Sequence, residues 1–256
     1  MAEPVAARSS GRGERREKGE GAPVSAVLLA AGRSSRFGST KQLAVLGGET
    51  LLGRALATLR RSPVDEVIVV VGHRAEDVSR MALGARVVVN EEYGTGMASS
   101  LRAGIGAVAP GAGAAVVCLA DQPFVTPRLV SRLVARHRLT GADVVASCCR
   151  SPSGGALVAP PVLFNRRVFA EVAGLGGDRG AKAVIEAHPG FERVSVGCRA
   201  LLDVDEAADL EAARAILRRS SVSRRERARG AGGPSPARPS SGPRPTRPAA
   251  GSRRSG

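Results

Sequence analysis

Residues 66–71 read Glu-Val-Ile-Val-Val-Val, and this run limits the possible folds more than any other part of the chain. A near-continuous β-branched stretch has no polar face to turn to water, so it is buried on both sides, as strands of a parallel sheet are. Further apolar runs at residues 24–29, 86–89, 114–119 and 143–148 read as strands too. Between them, Leu51, Leu52, Ala55, Leu56 and Leu59 recur at helical spacing with Arg54, Arg60 and Arg61 on other faces, which predicts an amphipathic helix. Residues 99–108, 128–138 and 206–217 are also predicted as helices. Strands alternating with helices imply right-handed crossovers and a sheet covered on both faces. The expected fold is therefore α/β, a Rossmann-like three-layer arrangement around a mostly parallel sheet. Ligands of such sheets sit beyond the carboxyl ends of the strands. That places the segment after residue 31, residues 90–97 and Asp121 along one edge.

The first strand leaves into Leu29-Ala30-Ala31-Gly32-Arg33-Ser34-Ser35-Arg36-Phe37-Gly38, with Lys41 shortly after. Small residues let backbone N–H groups approach an anion closely, and Arg33, Arg36 and Lys41 add full positive charge to those partial ones. A nucleoside triphosphate suits such a loop, although a mobile surface loop with a few arginines would read similarly. Two other glycine patterns do not apply. The dinucleotide fingerprint needs G-x-G-x-x-G, and a P-loop has Lys-Ser/Thr directly after its second glycine. Here five residues separate Gly32 from Gly38, and Lys41 lies three places beyond. The stretch resembles the signature of nucleotidyltransferases that make nucleotide-linked cofactors and sugars. It is most similar to the molybdenum cofactor cytidylyltransferases, with Leu29-Ala30-Ala31-Gly32, Ser34, Arg36, Gly38 and Lys41 in register. The resemblance runs over about residues 24–215. It implies that Leu29, Ala30, Ala31, Gly32, Arg33, Ser34, Ser35 and Gly38 bind nucleotide and that Arg36 and Lys41 are catalytic.

Asp121 follows an apolar strand in Leu119-Ala120-Asp121-Gln122-Pro123. A carboxylate there can hold Mg²⁺, which favours one or two carboxylates with phosphate oxygens and water; it can equally serve a proline turn. The resembling family carries this Asp-Gln-Pro and uses its Asp as a metal ligand. Asp203 and Asp205 precede the last helix, and in extended chain residues two apart point to the same side. The resemblance assigns the metal to Asp205, with Asp203 beside it; the alternative makes Asp205 the N-cap, with Asp209 on the helix's exposed face. The family's usual proline after this pair is Ala207 here. Residues 90–104 are similar to the segment that contacts base and ribose, which implicates Asn90, Gly96, Met97 and Ser100, while Ser99 and Ser100 could be ordinary caps. Tyr93, the single tyrosine, could stack on a base. Residues 153–182 correspond to the acceptor pocket, with Asp178 and Lys182 as acceptor-binding residues or as a loop ion pair. Ala159-Pro160 replaces the usual Gly-His, a departure that touches the acceptor more than the reaction. His73, His137 and His188 are scattered and read as structural or surface residues.

The remaining composition lies largely outside this region. Residues 1–22 and 219–256 lack the apolar content to offset their ordering entropy and are expected to be disordered extensions around a domain at 23–218. From Arg218 onward there are eleven arginines against the single acid Glu226, so this end supplies ten of the fifteen excess positive charges. Without interleaved aromatics, a recognition helix or a metal finger, nucleic acid is not the expected partner. The run at 24–29 is short for a signal-peptide core, and Glu14, Glu17 and Glu20 interrupt the basic segment before it. No stretch is long enough to span a membrane. Cys118, Cys148, Cys149 and Cys198 show neither zinc nor disulfide-framework spacing, and free thiols in a reducing cytoplasm are expected.

The resemblance implies Mg²⁺-dependent transfer of CMP from CTP to the terminal phosphate of molybdopterin-bound molybdenum, with onward delivery to a molybdenum hydroxylase apoenzyme. CTP is expected over GTP because the guanylyl branch usually has a second glycine where Ala31 stands. Two alternatives stay open. One is a guanylyltransferase for another phosphorylated acceptor, as in deazaflavin cofactor synthesis; the other is a non-catalytic insertion chaperone for the molybdenum cofactor.

Overall fold

The computed structural model describes residues 21–151, 154–177 and 180–230, the last ten through their backbone alone. In chain order the first half contains β1 (Val24–Ala30), β2 (Val45–Leu46), β3 (Glu49–Thr50), α1 (Leu51–Arg60), β4 (Glu66–Val71), α2 (Ala75–Met81), β5 (Arg86–Val89) and α3 (Met97–Gly106). The second half contains β6 (Ala114–Leu119), α4 (Pro127–Thr140), β7 (Val144–Arg150), β8 (Ala156–Asn165), α5 (Phe169–Ala173), α6 (Ala181–Ala187), β9 (Glu192–Ser195) and α7 (Ala207–Gly230).

Seven strands form one sheet in the order β5-β4-β1-β6-β8-β7-β9. β1 pairs in parallel with both β4 and β6, β4 with β5, and β7 with β9; β8 runs antiparallel to β6 and β7. The expected mostly parallel α/β sheet is what the chain forms. Alternation along β1 sends Val24, Ala26, Leu28 and Ala30 to one face, where Leu52 and Leu56 of α1, Val78 of α2 and Leu133 of α4 cover them. Val27 faces the other way, toward Leu101 and Ile105 of α3, Val172 of α5 and Val184 of α6. From β1 the chain goes first to β4 and β5 on one side and then to β6 on the other. The crevice where the direction reverses lies beyond the carboxyl ends of β1 and β6.

Local chemistry explains the element ends. Thr50 Oγ accepts a hydrogen bond from Gly53 N at the start of α1, and Thr126 does the same for Leu129 N before Pro127 opens α4. Gly141, at φ 65°, closes α4.

Several elements depart from the sequence reading. β8 was not predicted, because prolines at 160 and 161 remove ladder donors from its middle. The sheet absorbs them in a register shift: Ala146 pairs with Val162, but the next residue, Ser147, pairs with Ala159. Ser147 Oγ then donates to Pro161 O at 2.7 Å. The short helices α2, α5 and α6 and strand β9 were not predicted either. α7 continues to Gly230, past the expected end at Leu217, since residues 218–229 are mostly Arg, Ala, Glu and Ser and hold no proline or glycine. Two compact units are distinguished, one through Ala215 that holds the whole sheet, and one from Ile216 onward. Residues 1–20 and 231–256, most of the proposed extensions, lie outside the described residues. Among the described residues no helix is long and apolar enough to cross a membrane.

The cysteine reading needs correction. Cys149 of β7 and Cys198 form a disulfide across 49 residues, while Cys118 and Cys148 are free and buried. Burial pushes the Cys118 thiol up to about 12. Parallel pairing of β7 with β9 brings residue 198 beside residue 149, and Val196 N donates to Cys148 O at 2.8 Å. Cysteine spacing alone carries no sign of that pairing.

Two predictions follow from the packing. Cys198→Ser should lower unfolding free energy by about 2–4 kcal/mol in non-reducing urea titrations. A reductant should destabilise the native protein similarly and leave the variant unmoved. His137 is held below its ordinary pKa of 6.5, chiefly by burial, while its Nδ1–H donates to Ala142 O. A depressed folded pKa means that stability is fully present above 6.5 and is lost as pH falls through the folded value. Below 6.5, His137→Gln should therefore lose stability less steeply than the native chain, measured as unfolding free energy against pH.

Candidate active site

The loop after β1 is shaped by two side chains. Ser34 adopts a left-handed φ of 56°, which for a residue with a Cβ costs about 1–2 kcal/mol. Its Oγ accepts from Lys41 N at 3.2 Å and donates to Gln42 Oε1 at 3.3 Å. Gln42 is fully buried and its Nε2 donates to Gly32 O at 3.0 Å. The amide thus ties the start of the loop to its return, leaving Gly32 and Arg36 facing the crevice.

A cavity of about 400 Å³ opens there. Leu29, Ala30, Ala31 and Gly32 line it from the end of β1 and the loop after it, Leu119, Ala120 and Asp121 from the end of β6 and just beyond, and Tyr93, Gly96, Met97 and Ser100 from the segment that opens α3. Behind this wall, Asn90 Nδ2 donates to Ser99 Oγ at 2.9 Å and to Ser100 Oγ at 3.0 Å. All three are buried, so Asn90 positions Ser100 without itself lining the space. Arg33 is turned aside, its guanidinium 5.4 Å above the centroid of the Tyr93 ring.

The charged side of the cavity is compact. Lys41 Nζ stands 2.6 Å from Asp121 Oδ2 and 2.8 Å from Asp205 Oδ1. Arg36 Nη2 reaches to 3.7 Å from Asp205 Oδ2. Burial acts to lower the pKa of Lys41, but the charges and hydrogen bonds of Asp121 and Asp205 more than offset it and hold the ammonium above its ordinary value. Its hydrogen bond from Lys41 is the main cause that holds the Asp205 carboxyl below the usual range. Asp203 also lines the cavity, and desolvation of its carboxyl, then the charge of Asp121, raise it to about 6 even though the residue as a whole is exposed at the rim.

Backbone geometry explains why these carboxylates converge. Val204 is fully buried and its N–H donates to Asp121 O at 2.9 Å, so Asp203 and Asp205 on either side of it both turn to the cavity. Asp205 is not the cap of α7. The Asp209 carboxylate accepts from Asp205 N at 3.0 Å and Glu206 N at 2.9 Å, which satisfies the helix start from within and frees Asp205 for the site.

The donor set suits a hard divalent cation. Asp121 Oδ1 is buried with no hydrogen-bond partner. Among the described residues no group of three or more His, Cys, Asp or Glu could hold a metal alone. Two carboxylates with substrate oxygens completing the shell is the Mg²⁺ pattern.

Comparison with known proteins bears on this geometry. The sequence pattern of the MobA-like NTP transferase domain matches residues 26–194. The chain belongs to that family. Among curated relatives of this MobA-like chain, a nicotine blue oxidoreductase of Paenarthrobacter nicotinovorans is 33% identical over 177 residues, covering 65% of this chain and 83% of the relative. The purine catabolism protein PucB of Bacillus subtilis is 30% identical over 197 residues, 72% of this chain and 88% of the relative. A bifunctional GlmU of Symbiobacterium thermophilum is 37% identical over 129 residues, 48% of this chain, and the match spans only 26% of that longer protein. The crystal structure of an Rv0371c homologue from Mycobacterium sp. strain JC1 superposes with a TM-score of 0.68 at 37% identity, covering 77% of this chain and 97% of the other. Rv0371c of Mycobacterium tuberculosis in complex with manganese matches with a TM-score of 0.58 at 31% identity, covering 68% of this chain and 89% of the other.

Most residues singled out from the sequence line the cavity: Leu29, Ala30, Ala31, Gly32, Arg36, Lys41, Gly96, Met97, Ser100, Asp121 and Asp205. Arg33, Ser34, Ser35, Gly38 and Asn90 do not; Ser34 and Asn90 support residues that do, and Ser35 is exposed. Lys182 lies on α6 with an exposed side chain 3.7 Å from Glu186, away from the cavity lining. Asp178 lies outside the described residues. Gln42, Leu119 and Ala120 were missed. Gln42 had a signal, an amide directly after the motif lysine, whereas the other two are ordinary strand-end residues.

Gly72 ends β4 where a Cβ would lie 2.6 Å from Tyr93 Cβ and 2.9 Å from Ala31 Cβ. Gly72→Ala should therefore push Tyr93 off the cavity wall and destabilise the fold by about 1–3 kcal/mol. Tyr93 is the single tyrosine in a chain without tryptophan, so its emission reports the shift, and acrylamide should quench the variant more strongly.

Proposed function

We propose that this domain is a divalent-metal-dependent nucleotidyltransferase that joins the CMP moiety of CTP to the terminal phosphate of a molybdopterin-type acceptor and releases pyrophosphate. The observation that carries the reading is the convergence of Gly32, Arg36, Lys41, Asp121 and Asp205 on one cavity. Such chemistry needs positioning and charge neutralisation more than covalent help. In the proposed reaction a terminal phosphate oxygen of the acceptor attacks the α-phosphorus of CTP. The bond from that phosphorus to the oxygen shared with the β-phosphate breaks, and its electron pair leaves with pyrophosphate. A phosphate nucleophile is already ionised, so no side chain has to remove a proton from it.

Each residue has a part in this scheme. The loop at residues 32–38 offers backbone N–H groups to the β- and γ-phosphates. Arg36 and Lys41 offset the negative charge that builds on the leaving group. Asp121 and Asp205 are the residues for Mg²⁺, which when bound neutralises phosphate oxygens. The manganese named for the mycobacterial relative supports a divalent cation. Tyr93, Gly96, Met97 and Ser100 are assigned to base and ribose. The choice of CTP is supported by Ala31, buried in the cavity wall, whose methyl takes room a purine needs; such steric terms are worth about 1–3 kcal/mol. The acceptor, and its delivery to a molybdenum hydroxylase apoenzyme, rest on the resemblance of residues 29–41 to the molybdenum cofactor enzymes. A carrier that turned nothing over would have no use for Arg36, Lys41, Asp121 and Asp205 together.

The deciding assay is pyrophosphate release with Mg²⁺ and CTP, GTP, ATP or UTP, each with and without molybdenum cofactor. Release is expected with CTP and cofactor together. Asp121→Asn should lower it by about 100-fold or more with an unchanged melting temperature. Release with GTP alone among the nucleotides, or only with a different phosphorylated acceptor, overturns the named product. Full activity in Asp121→Asn overturns the metal assignment.

A further inference from the structure

We propose that Lys41 is an internal counter-ion: it holds the place between Asp121 and Asp205 until a divalent cation arrives with a nucleotide, and it then passes to the nucleotide's phosphates. The inference rests on reading Asp121 and Asp205 as the metal-holding pair and adds how that pair is loaded. Lys41 Nζ is 2.6 Å from Asp121 Oδ2 and 2.8 Å from Asp205 Oδ1. Both oxygens belong to the two carboxylates that would hold a divalent cation. The ammonium and a divalent cation cannot share that position, because both are positive and both need the same lone pairs. Lys41 is also well sheltered, with a side chain 13% exposed and its backbone N–H bound to Ser34 Oγ.

The energetics make loading conditional. A cation entering the free protein would strip a sheltered ammonium of its two close anionic partners, Asp121 and Asp205. Within the pair, Asp121 Oδ1 is the buried oxygen that no hydrogen bond occupies. A nucleoside triphosphate changes the balance twice. Its phosphate oxygens complete the cation's shell, and its remaining negative charge gives Lys41 a new partner in the same cavity, which Lys41, Arg36 and Gly32 already line. Metal and nucleotide then strengthen each other's binding, and by linkage each does so by the same factor. Removing the ammonium should uncouple them: the two carboxylates, no longer neutralised, attract the cation unaided.

The test uses the full chain and Mn²⁺, read from the electron paramagnetic resonance signal of the free ion, so turnover is not the readout. In the native protein, Mn²⁺ should bind weakly alone and about 5- to 150-fold more tightly with a CTP analogue whose α,β-bridging oxygen is replaced by methylene. Lys41→Met should bind Mn²⁺ alone at least about tenfold more tightly than the native protein and lose most of the gain from the analogue. Lys41→Arg, which keeps a cation there, should resemble the native protein. Equal Mn²⁺ affinity with and without the analogue in the native chain overturns the inference, whether or not Lys41→Met folds. So does Lys41→Met binding Mn²⁺ no more tightly than native, if Asp121→Asn still abolishes binding. Mn²⁺ binding untouched by Asp121→Asn and Asp205→Asn instead removes the metal pair itself.

Discussion

Everything in this molecule is arranged around the burial of β1 on both faces and both edges. Its backbone is paired on one side with β4 and on the other with β6, and its side chains from Val24 to Ala30 are covered by helices above and below. A strand so enclosed has no freedom to slip, because a shift of one residue would exchange its two faces. The loop that follows therefore leaves the sheet at a fixed point. That point is the crevice between the ends of β1 and β6, where the direction of chain progression reverses.

The site is then a problem in balancing charge at the end of that rigid strand. Arg36 and Lys41 come from the loop, Asp121 from the end of β6, and Asp203 and Asp205 from the segment before α7. The backbone bond from Val204 to Asp121 makes the acidic side as well placed as the basic one. Two further residues act by holding their neighbours. Gln42 holds the loop closed from beneath, and Asp209 satisfies the start of α7 so that Asp205 is left for other work. Positioning of this sort suits a reaction carried by electrostatics.

Much of this could be read in the chain. The β-branched run at residues 66–71 and the other apolar runs located the strands near the site, because side-chain period reports burial directly. The loop and Asp121 stood out because each follows an apolar strand, and the pair at Asp203 and Asp205 because it stands two residues apart before the last helix. What was missed had no local signature. β8 carries two prolines that argue against a strand, and only a register shift in its neighbour accommodates them. The short helices α5 and α6 hold too few turns for a periodic pattern to emerge. Asp205 was a plausible cap on paper, with Asp209 on the exposed face, but Asp209 accepts from the N–H groups at the helix start.

By itself, then, the sequence determined the class of fold, the edge of the sheet where the cavity opens, and the residue types that gather there. These depend on burial pattern and backbone chemistry within about ten residues of each position, which composition and spacing encode. Tertiary structure alone decided which distant groups meet. It brought Lys41 to Asp205 across 164 residues and Cys149 to Cys198 across 49. It turned Arg33 onto Tyr93 and away from the cavity. Such pairings follow from strand order and parallel register, and these are settled by the packing of the whole sheet between its helices, which no local stretch of chain contains.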